Sequence, residues 1–578
     1  MRVIAKLWVG VVVAAFACAA PALAQVPSGV SGPPPGGQIG DQLAVGQGEG
    51  QAPAMAPVQT NPEPPLTATP RPTSCGPNAR PEPAEQGRVP AGSAVDGLFC
   101  NATLVSHQGD SGGFKTWRYQ DASGHVCAFY DTALLFPVNA FKLDASSIGV
   151  AVVDMTNPAH PVQTDLLQRA PMLSPHESLV LNQRRGLLAA ALGNPNTYPG
   201  DVAIYDVHSD CRHPVLDFEG VISRLGHEAG FAPDGNTLYV AGTGEKSITA
   251  IDVRDPRHPH DVWQGNMISH GLSVSDDGNR VYVADSSNHQ LAILDTSQIQ
   301  ARRANPQVRE VSRLTWSSVS IPQNAIPFTE NGHRYVLEFD EYSAGLQMTG
   351  SVGAARIVDI SDDAHPFVVS NMRLQIDQQP DRATAANDPG MLSPLQGYAA
   401  HYCNIPTRVN PKVVACSFIA SGLRVFDISN IAHPREAAYF VAPTKAVFED
   451  GYIPSDYAMS MPSFDTARHD VWFTDGDSGF YDVHVSDWPR VAASAPTACT
   501  AWARGPLHVA VSAPRGSRIQ RVRATVAGKR VRAVVVRGRT VRVVIRTGRL
   551  PRRAVKLVVR MRLRDGRLVV RRRTYRPC

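Results

Sequence analysis

A short apolar run that ends in aspartate and is followed several residues later by proline recurs seven times along this chain. The copies are Val152-Val153-Asp154 with Pro161, Ile204-Tyr205-Asp206 with Pro214, Ala250-Ile251-Asp252 with Pro259, Ile293-Leu294-Asp295 with Pro306, Ile357-Val358-Asp359 with Pro366, Val425-Phe426-Asp427 with Pro434, and Phe480-Tyr481-Asp482 with Pro489. The Asp-to-Asp spacings are 52, 46, 43, 64, 68 and 55 residues, the range expected of a four-stranded unit with loops of varying length. The chain of 578 residues also carries 46 Gly and 46 Pro, a density of breaks that excludes an all-α bundle.

The third copy shows the unit most plainly. His227-Glu228-Ala229-Gly230-Phe231 reads as a first strand and Pro233-Asp234-Gly235-Asn236 as a hairpin turn. Thr237 to Ala241 is then the second strand, Lys246 to Val253 the third, and Asp261-Val262-Trp263 opens the fourth after the His258-Pro259 turn. Asp-Gly before an alternating β-branched run is a hairpin signal, because Gly accepts the positive φ of tight turns. The fourth copy repeats this from His270, except that Ala304-Asn305-Pro306 replaces the His-Pro. One such sheet leaves both faces uncovered, whereas seven stacked radially cover them. The expected fold is therefore all-β, a seven-bladed β-propeller over residues 98–497.

The pattern strand-Asp-Ile-Ser followed by His-Pro, at Arg356-Ile357-Val358-Asp359-Ile360-Ser361 with His365-Pro366 and at Arg424-Val425-Phe426-Asp427-Ile428-Ser429 with His433-Pro434, resembles the LVIVD repeat of bacterial secreted or surface propellers. The resemblance covers roughly 400 residues and implies the propeller fold. It implies no particular activity.

The two ends have different physics. Arg2 and Lys6 precede an apolar run from Leu7 to Phe16, and Ala22-Leu23-Ala24 follows, so residues 1–24 read as a secretory signal peptide. The expected location is secreted or extracellular, with possible cell-surface association, and no later segment is apolar enough to cross a bilayer. Residues 25–97, rich in Pro and Gly, are expected to be a disordered leader, since they cannot bury enough apolar area to offset ordering. Residues 498–578 form the last domain, a small basic β-sandwich. From Cys499 to Cys578 there are 24 Lys+Arg and one acid, Asp565, while the other 498 residues carry 32 basic and 50 acidic side chains. Arg521-Val522-Arg523-Ala524-Thr525-Val526 and Arg560-Met561-Arg562-Leu563-Arg564 alternate with period two, giving each strand an apolar and a cationic face. Such a face suits attachment to an anionic cell-envelope polymer; a soluble cationic sheet docked on the acidic propeller is the alternative. Nucleic acid is not an expected partner, because an exported chain does not meet it.

The chain has nine cysteines, of which Cys18 lies in the signal segment. The remaining eight suggest four disulfides. Cys403 and Cys416 flank a short loop, Cys499 and Cys578 bracket the C-terminal domain, and Cys75, Cys100, Cys127 and Cys211 leave three connectivities open.

Histidines stand at the start of the first strand of several units: His176, His227, His270 and His401, with His107 as a candidate in the first. In a propeller these positions converge on the axis at one mouth. Converging imidazoles suit Zn, Cu or Fe. The His-Glu element at Ser174-Pro175-His176-Glu177 and His227-Glu228 is similar to the His-lined metal centre of selenium-binding and methanethiol oxidase propellers. The competing reading is structural, because His227 to Asp252, His270 to Asp295 and His401 to Asp427 are 25, 25 and 26 residues apart, a register inherited with the repeat. The corresponding region of the fifth unit offers Gln323 or Asn324, and that of the seventh Tyr457 or Met459. Glu338, Asp340 and Glu341 form an acidic cluster near the expected mouth, read either as a carboxylate ligand or as solvated loop charge. The His-Pro dipeptides read as turns, and Asp475-Gly476-Asp477-Ser478-Gly479 as an Asx turn without the final Glu of a calcium loop. No nucleophile elbow, phosphate loop, dinucleotide fingerprint or His-Glu-x-x-His is present. The function expected first is a non-catalytic binding propeller that presents its mouth to a protein or small-molecule ligand. The alternative is a metal-dependent, oxidase-like enzyme with His176, His227, His270 and His401 at the axis.

Overall fold

The computed structural model describes residues 51–133, 147–193, 200–242, 247–343, 351–392, 396–447 and 454–489, and most of 506–575. The chain divides into two units, Met1–Pro489 and Arg490–Cys578. The signal segment and the Cys499 and Cys578 pairing lie outside the described residues.

In the first unit, seven antiparallel sheets follow one another along the chain, among the described residues. They span 116–167, 180–223, 228–265, 272–315, 321–372, 400–441 and 463–485. The third consists of Glu228–Phe231, Thr237–Gly242, Ser247–Asp252 and His260–Gly265, within a residue or two of the expected strands. The seventh is completed by Ala102–Gln108, which pairs with Gly479–Val485. One sheet is thus built from both ends of the repeat region. Apolar clusters join each sheet to the next: Leu181 and Tyr119 between the second and first, Leu238 and Val180 between the third and second, Leu272 and Ile248 between the fourth and third. They continue through Trp316 and Val358, Ile357 and Tyr402, and Val425 and Phe473, and return with Trp472 and Phe480 of the seventh against Tyr130 and Ala151 of the first. This is a β-propeller.

The recurrent aspartate has a local cause. In six copies it ends the third strand, and its Oδ1 accepts the backbone N–H two residues on, from Thr156, His208, Arg254, Ser297, Ser361 and Ser429, at 2.7–3.1 Å. Each is an Asx turn that stops the strand. The backbone N–H of each His-Pro histidine donates to the carbonyl three residues earlier, closing a turn before the fourth strand. In the fourth unit a helical turn, Ser297–Gln300, fills this place, and the sheet keeps the same register shift just before its aspartate as the third and fifth.

The Pro/Gly-rich segment departs from the expected leader. From Gln51 onward it is folded against the third, fourth, fifth and sixth sheets. Val58–Thr60 adds a parallel strand to the fourth, Asn61 Nδ2 donates to the Pro366 carbonyl, and Leu98–Cys100 pairs with the sixth. Composition forbids such a segment a core of its own, but exposed sheet edges offer unpaired N–H and C=O groups that it satisfies. Disulfides join Cys75 to Cys100, Cys127 to Cys211 and Cys403 to Cys416, the last as expected, and so choose among the open connectivities.

The second unit contains six antiparallel strands in the order Pro506–Ser512, Thr540–Arg546, Lys529–Val536, Ile519–Val526, Val555–Leu563, Leu568–Tyr575. Ala524, Val526, Val541, Val543, Leu557, Val559 and Met561 share its apolar core.

Candidate metal centre

The innermost strand of each sheet is the first of its unit, and the residues just before or within its start face the axis. His227 and His270 stand one and two residues ahead of Glu228–Phe231 and Leu272–Val274. His401 lies in Ala400–Asn404 and Gln323 in Ile321–Glu330, each where the pairing register slips. Such bulges re-aim side chains beside functional sites. His176 has φ +50°, a left-handed backbone uncommon for a non-glycine residue and worth noting at a buried cluster.

These four histidines meet. The ring centroids of His176 and His227 are 4.6 Å apart and those of His227 and His270 5.0 Å, while Phe114 lies 4.4 Å from His176 and 5.3 Å from His401. Two carboxylates sit among them. Glu177 Oε2 is 3.1 Å from His227 Nε2 and 3.4 Å from His270 Nε2, and Glu177 Oε1 is 3.4 Å from His401 Nε2. Glu341 Oε1 is 3.4 Å from His270 Nε2 and its Oε2 is 2.9 Å from His401 Nε2. Gln323 Nε2 donates to Glu177 Oε1 at 2.6 Å. His176, Glu177, His227, His270, Glu341 and His401 are all buried.

The outer nitrogens decide the tautomers. His270 Nδ1 faces the Pro322 carbonyl at 3.0 Å and His401 Nδ1 the Met459 carbonyl at 2.6 Å. A carbonyl only accepts, so each Nδ1 carries a proton, and burial keeps the His270 ring neutral, with the lone pair of Nε2 toward Glu177 and Glu341. His401 Nε2 and Glu177 Oε2, though close to such neighbours, are not aligned for a hydrogen bond. At His270 a lone pair thus faces two carboxylates in a buried site, an arrangement that a shared cation would satisfy. Backbone carbonyls behind the imidazoles are also the usual supports of metal-ligating histidine. Burial holds His176 well below the usual imidazole range, and the neighbouring His227 adds to this. For His401, burial opposes the charge, but the adjoining carboxylates of Glu177 and Glu341 outweigh it and push the group up to about 9, so without a metal ion this ring is the protonated one.

One residue further along the strands, Lys115 Nζ donates to Glu228 Oε1 at 3.0 Å, Asn324 Nδ2 donates to the same oxygen, and Lys115 lies 3.9 Å above the Tyr402 ring. Burial pushes Glu228 up to about 8. This layer borders a cavity of about 560 Å³, which Arg118, Asn182, Phe231, Asn404 and Arg408 also line.

His107 does not join the centre. It lies on Ala102–Gln108, where Nε2 faces the Ser478 carbonyl at 2.5 Å and the ring packs on Tyr481. That strand is the outermost of the seventh sheet, and Phe114-Lys115 stand at the axis instead. The acidic cluster divides. Glu341 reaches the histidines, whereas Glu338 and Asp340 pair with buried Arg356 and are not solvated loop charge. In the seventh unit Met459 contributes its carbonyl, and Tyr457 Oη donates to Gln396. Asp475 makes the expected Asx turn, accepting from Asp477 N and Ser478 Oγ at 2.8 Å each. Sequence reading missed Lys115 and the role of Gln323; the only available signal was their place one inner strand apart from the histidines.

A model of the LVIVD repeat matches residues 417–440 and a model of the NHL repeat residues 270–294. No curated protein matches the chain. Among solved structures, the chain is similar to the β-propeller domain of Myceliophteria thermophila Cps50 (Swd1), at 10% identity and TM-score 0.42 over 66% of this chain and 99% of that one. It is also similar to Kuenenia stuttgartiensis hydrazine synthase, at 12% and 0.40 over 64% and 94%, and to a chain of a mitotic checkpoint complex, at 9% and 0.40 over 72% and 99%.

Proposed function

We propose that this β-propeller holds a divalent transition-metal ion at the axis of seven blades closed into one ring, and that the ion is the seat of its activity. One observation carries the reading. Donor atoms bound about 2.0–2.1 Å from one ion stand about 2.9–3.4 Å apart in tetrahedral or octahedral coordination. The Nε2 atoms of His270 and His401 stand 2.9–3.4 Å from the oxygens of Glu177 and Glu341. Two donor triads share Glu177, one with His176 and His227 and the other with Glu341 and His401, and His270 lies 3.4 Å from both carboxylates between them. Two buried carboxylates also need a counter-charge that one protonated imidazole does not fully supply.

Imidazole and carboxylate together suit Zn, Cu or Fe, which would supply Lewis-acid or redox chemistry when bound. Around it, Gln323 orients Glu177, the Pro322 and Met459 carbonyls orient two rings, and Lys115, Glu228 and Asn324 form the boundary with the cavity. The metal-dependent alternative thereby moves ahead of the non-catalytic binding surface, which keeps the cavity as its support. Residues 1–24 and three disulfides favour work outside the cytoplasm.

The test is elemental analysis of untagged full-length protein made in medium replete in Zn, Cu and Fe. Near-stoichiometric metal that is lost in a folded His227→Ala, His270→Ala variant supports the reading. Protein that binds none of the three under repletion overturns it.

A further inference from the structure

Independently of the axial centre, the register of the second unit places like charges face to face. In the pairing of Ile519–Val526 with Val555–Leu563, Arg521 lies directly opposite Arg562 and Arg523 directly opposite Arg560. Antiparallel partners share a face, and so do residues two apart, so these four guanidinium groups form two adjacent rungs on one surface. All four are exposed, while Ala524, Val526, Leu557, Val559 and Met561 between them turn into the apolar core. Arg530, opposite Thr525 on the next strand, extends the same face. Among the described residues, no ion pair reaches the four arginines of the rungs.

Like charges directly opposite on neighbouring strands destabilise a sheet. A solubilising surface intersperses both signs, but this face has arginine where an opposite-charge pair would strengthen it. The arrangement gains stability only when an outside anion lies along it. Rungs are about 6.6–6.8 Å apart along a strand, and the partners within a rung are about 4.5–5.5 Å apart. A single small anion meets one rung, whereas a flexible chain with a charge on every unit meets both and continues to Arg530.

We propose that the Arg521/Arg562 and Arg523/Arg560 ladder is the binding face for a linear polyanion, recognised by its closely spaced backbone charges. Phosphate and carboxylate polymers offer the same chemistry, and the probes separate them.

The experiment uses the full chain and measures binding to long-chain inorganic polyphosphate and to polyglutamate across a salt series. Variant R521Q/R523Q/R560Q/R562Q is expected to bind its preferred polymer at least about tenfold more weakly, with a log–log salt slope shallower by roughly three. A second variant that removes Arg169, Arg184, Arg224 and Arg303, all exposed in the first unit, carries the same net charge and is expected to keep most of the affinity. Melting of the ladder variant should be unchanged or higher, since repulsion is removed, and this separates lost binding from lost folding. Equal losses in the two variants would show that net charge alone matters and would overturn the ladder. Stronger retention on phosphatidylglycerol vesicles than on either polymer would assign the face to a membrane and overturn the proposal as well.

Discussion

The carboxylate of Glu228 lies over Gly271: a β-carbon on Gly271 would fall 1.8 Å from Glu228 Oε2 and 2.1 Å from the Gln323 carbonyl oxygen. Three inner strands therefore meet at a point where no side chain fits on the middle one. The empty position lets Glu228 reach Lys115 and Asn324 and form the layer beside the histidines.

Gly271→Ala should disturb this layer while keeping every histidine side chain in the sequence. The backbone carbonyl of Gln323 gives little room to adjust, so a loss of about 1–3 kcal/mol is expected from overpacking. Denaturant unfolding reads the loss; an unchanged midpoint would show that the Glu228 carboxylate does not occupy that space.

Asp482 is the repeat aspartate that departs from its six counterparts. It lies inside Gly479–Val485, fully buried, and burial pushes its carboxyl up to about 8, helped by Asp470. Because this folded value exceeds the unfolded value of about 3.9, folding favours the protonated acid. Its contribution is complete below about pH 4 and falls by at most about 1.4 kcal/mol per pH unit until the folded group ionises near 8. Stability measured by denaturant from pH 4 to 9 should decline less steeply in Asp482→Asn than in the parent chain. Parallel curves would mean that the acid is solvated.

The Cys127–Cys211 disulfide joins the first sheet to the turn after the third strand of the second. Replacing both cysteines with alanine should cost about 2–4 kcal/mol of unfolding free energy. A fall in the guanidinium midpoint under oxidising conditions checks this, and equal midpoints would contradict it.

Gln86 tests the segment expected to be a leader. Its Nε2 donates to Glu436 Oε2 at 2.7 Å and to the Thr69 carbonyl at 3.1 Å, and it is buried. Gln86→Ala strips buried acceptors of their donor and should cost about 1–3 kcal/mol. It should also speed proteolysis between residues 51 and 97. Cleavage there at the same rate in both chains would return the segment to the disordered leader expected from its composition.

Much of the fold was legible in short stretches of chain. The Asp that ends the third strand, the His-Pro turn and the Asp-Gly hairpin each act within a few residues, so their chemistry appears wherever the repeat does. The 25-residue offset from His to Asp likewise placed His227 and His270 at equivalent strand starts. His107 misled because its strand closes the last sheet rather than opening the first, a relation between chain ends more than 370 residues apart.

What only the tertiary structure decided is which groups share one small volume. Glu341 joins the imidazoles while Glu338, three residues earlier on the same strand, pairs with Arg356, because alternate residues of a strand face opposite sides and the register slips at Gln323. Pro and Gly in residues 51–97 correctly denied that segment a core, but composition carries no record of sheet edges waiting for hydrogen bonds. Period and turn chemistry are local properties of the sequence. The meeting of His176, His227, His270 and His401 around two carboxylates depends on contacts between sheets far apart in the sequence.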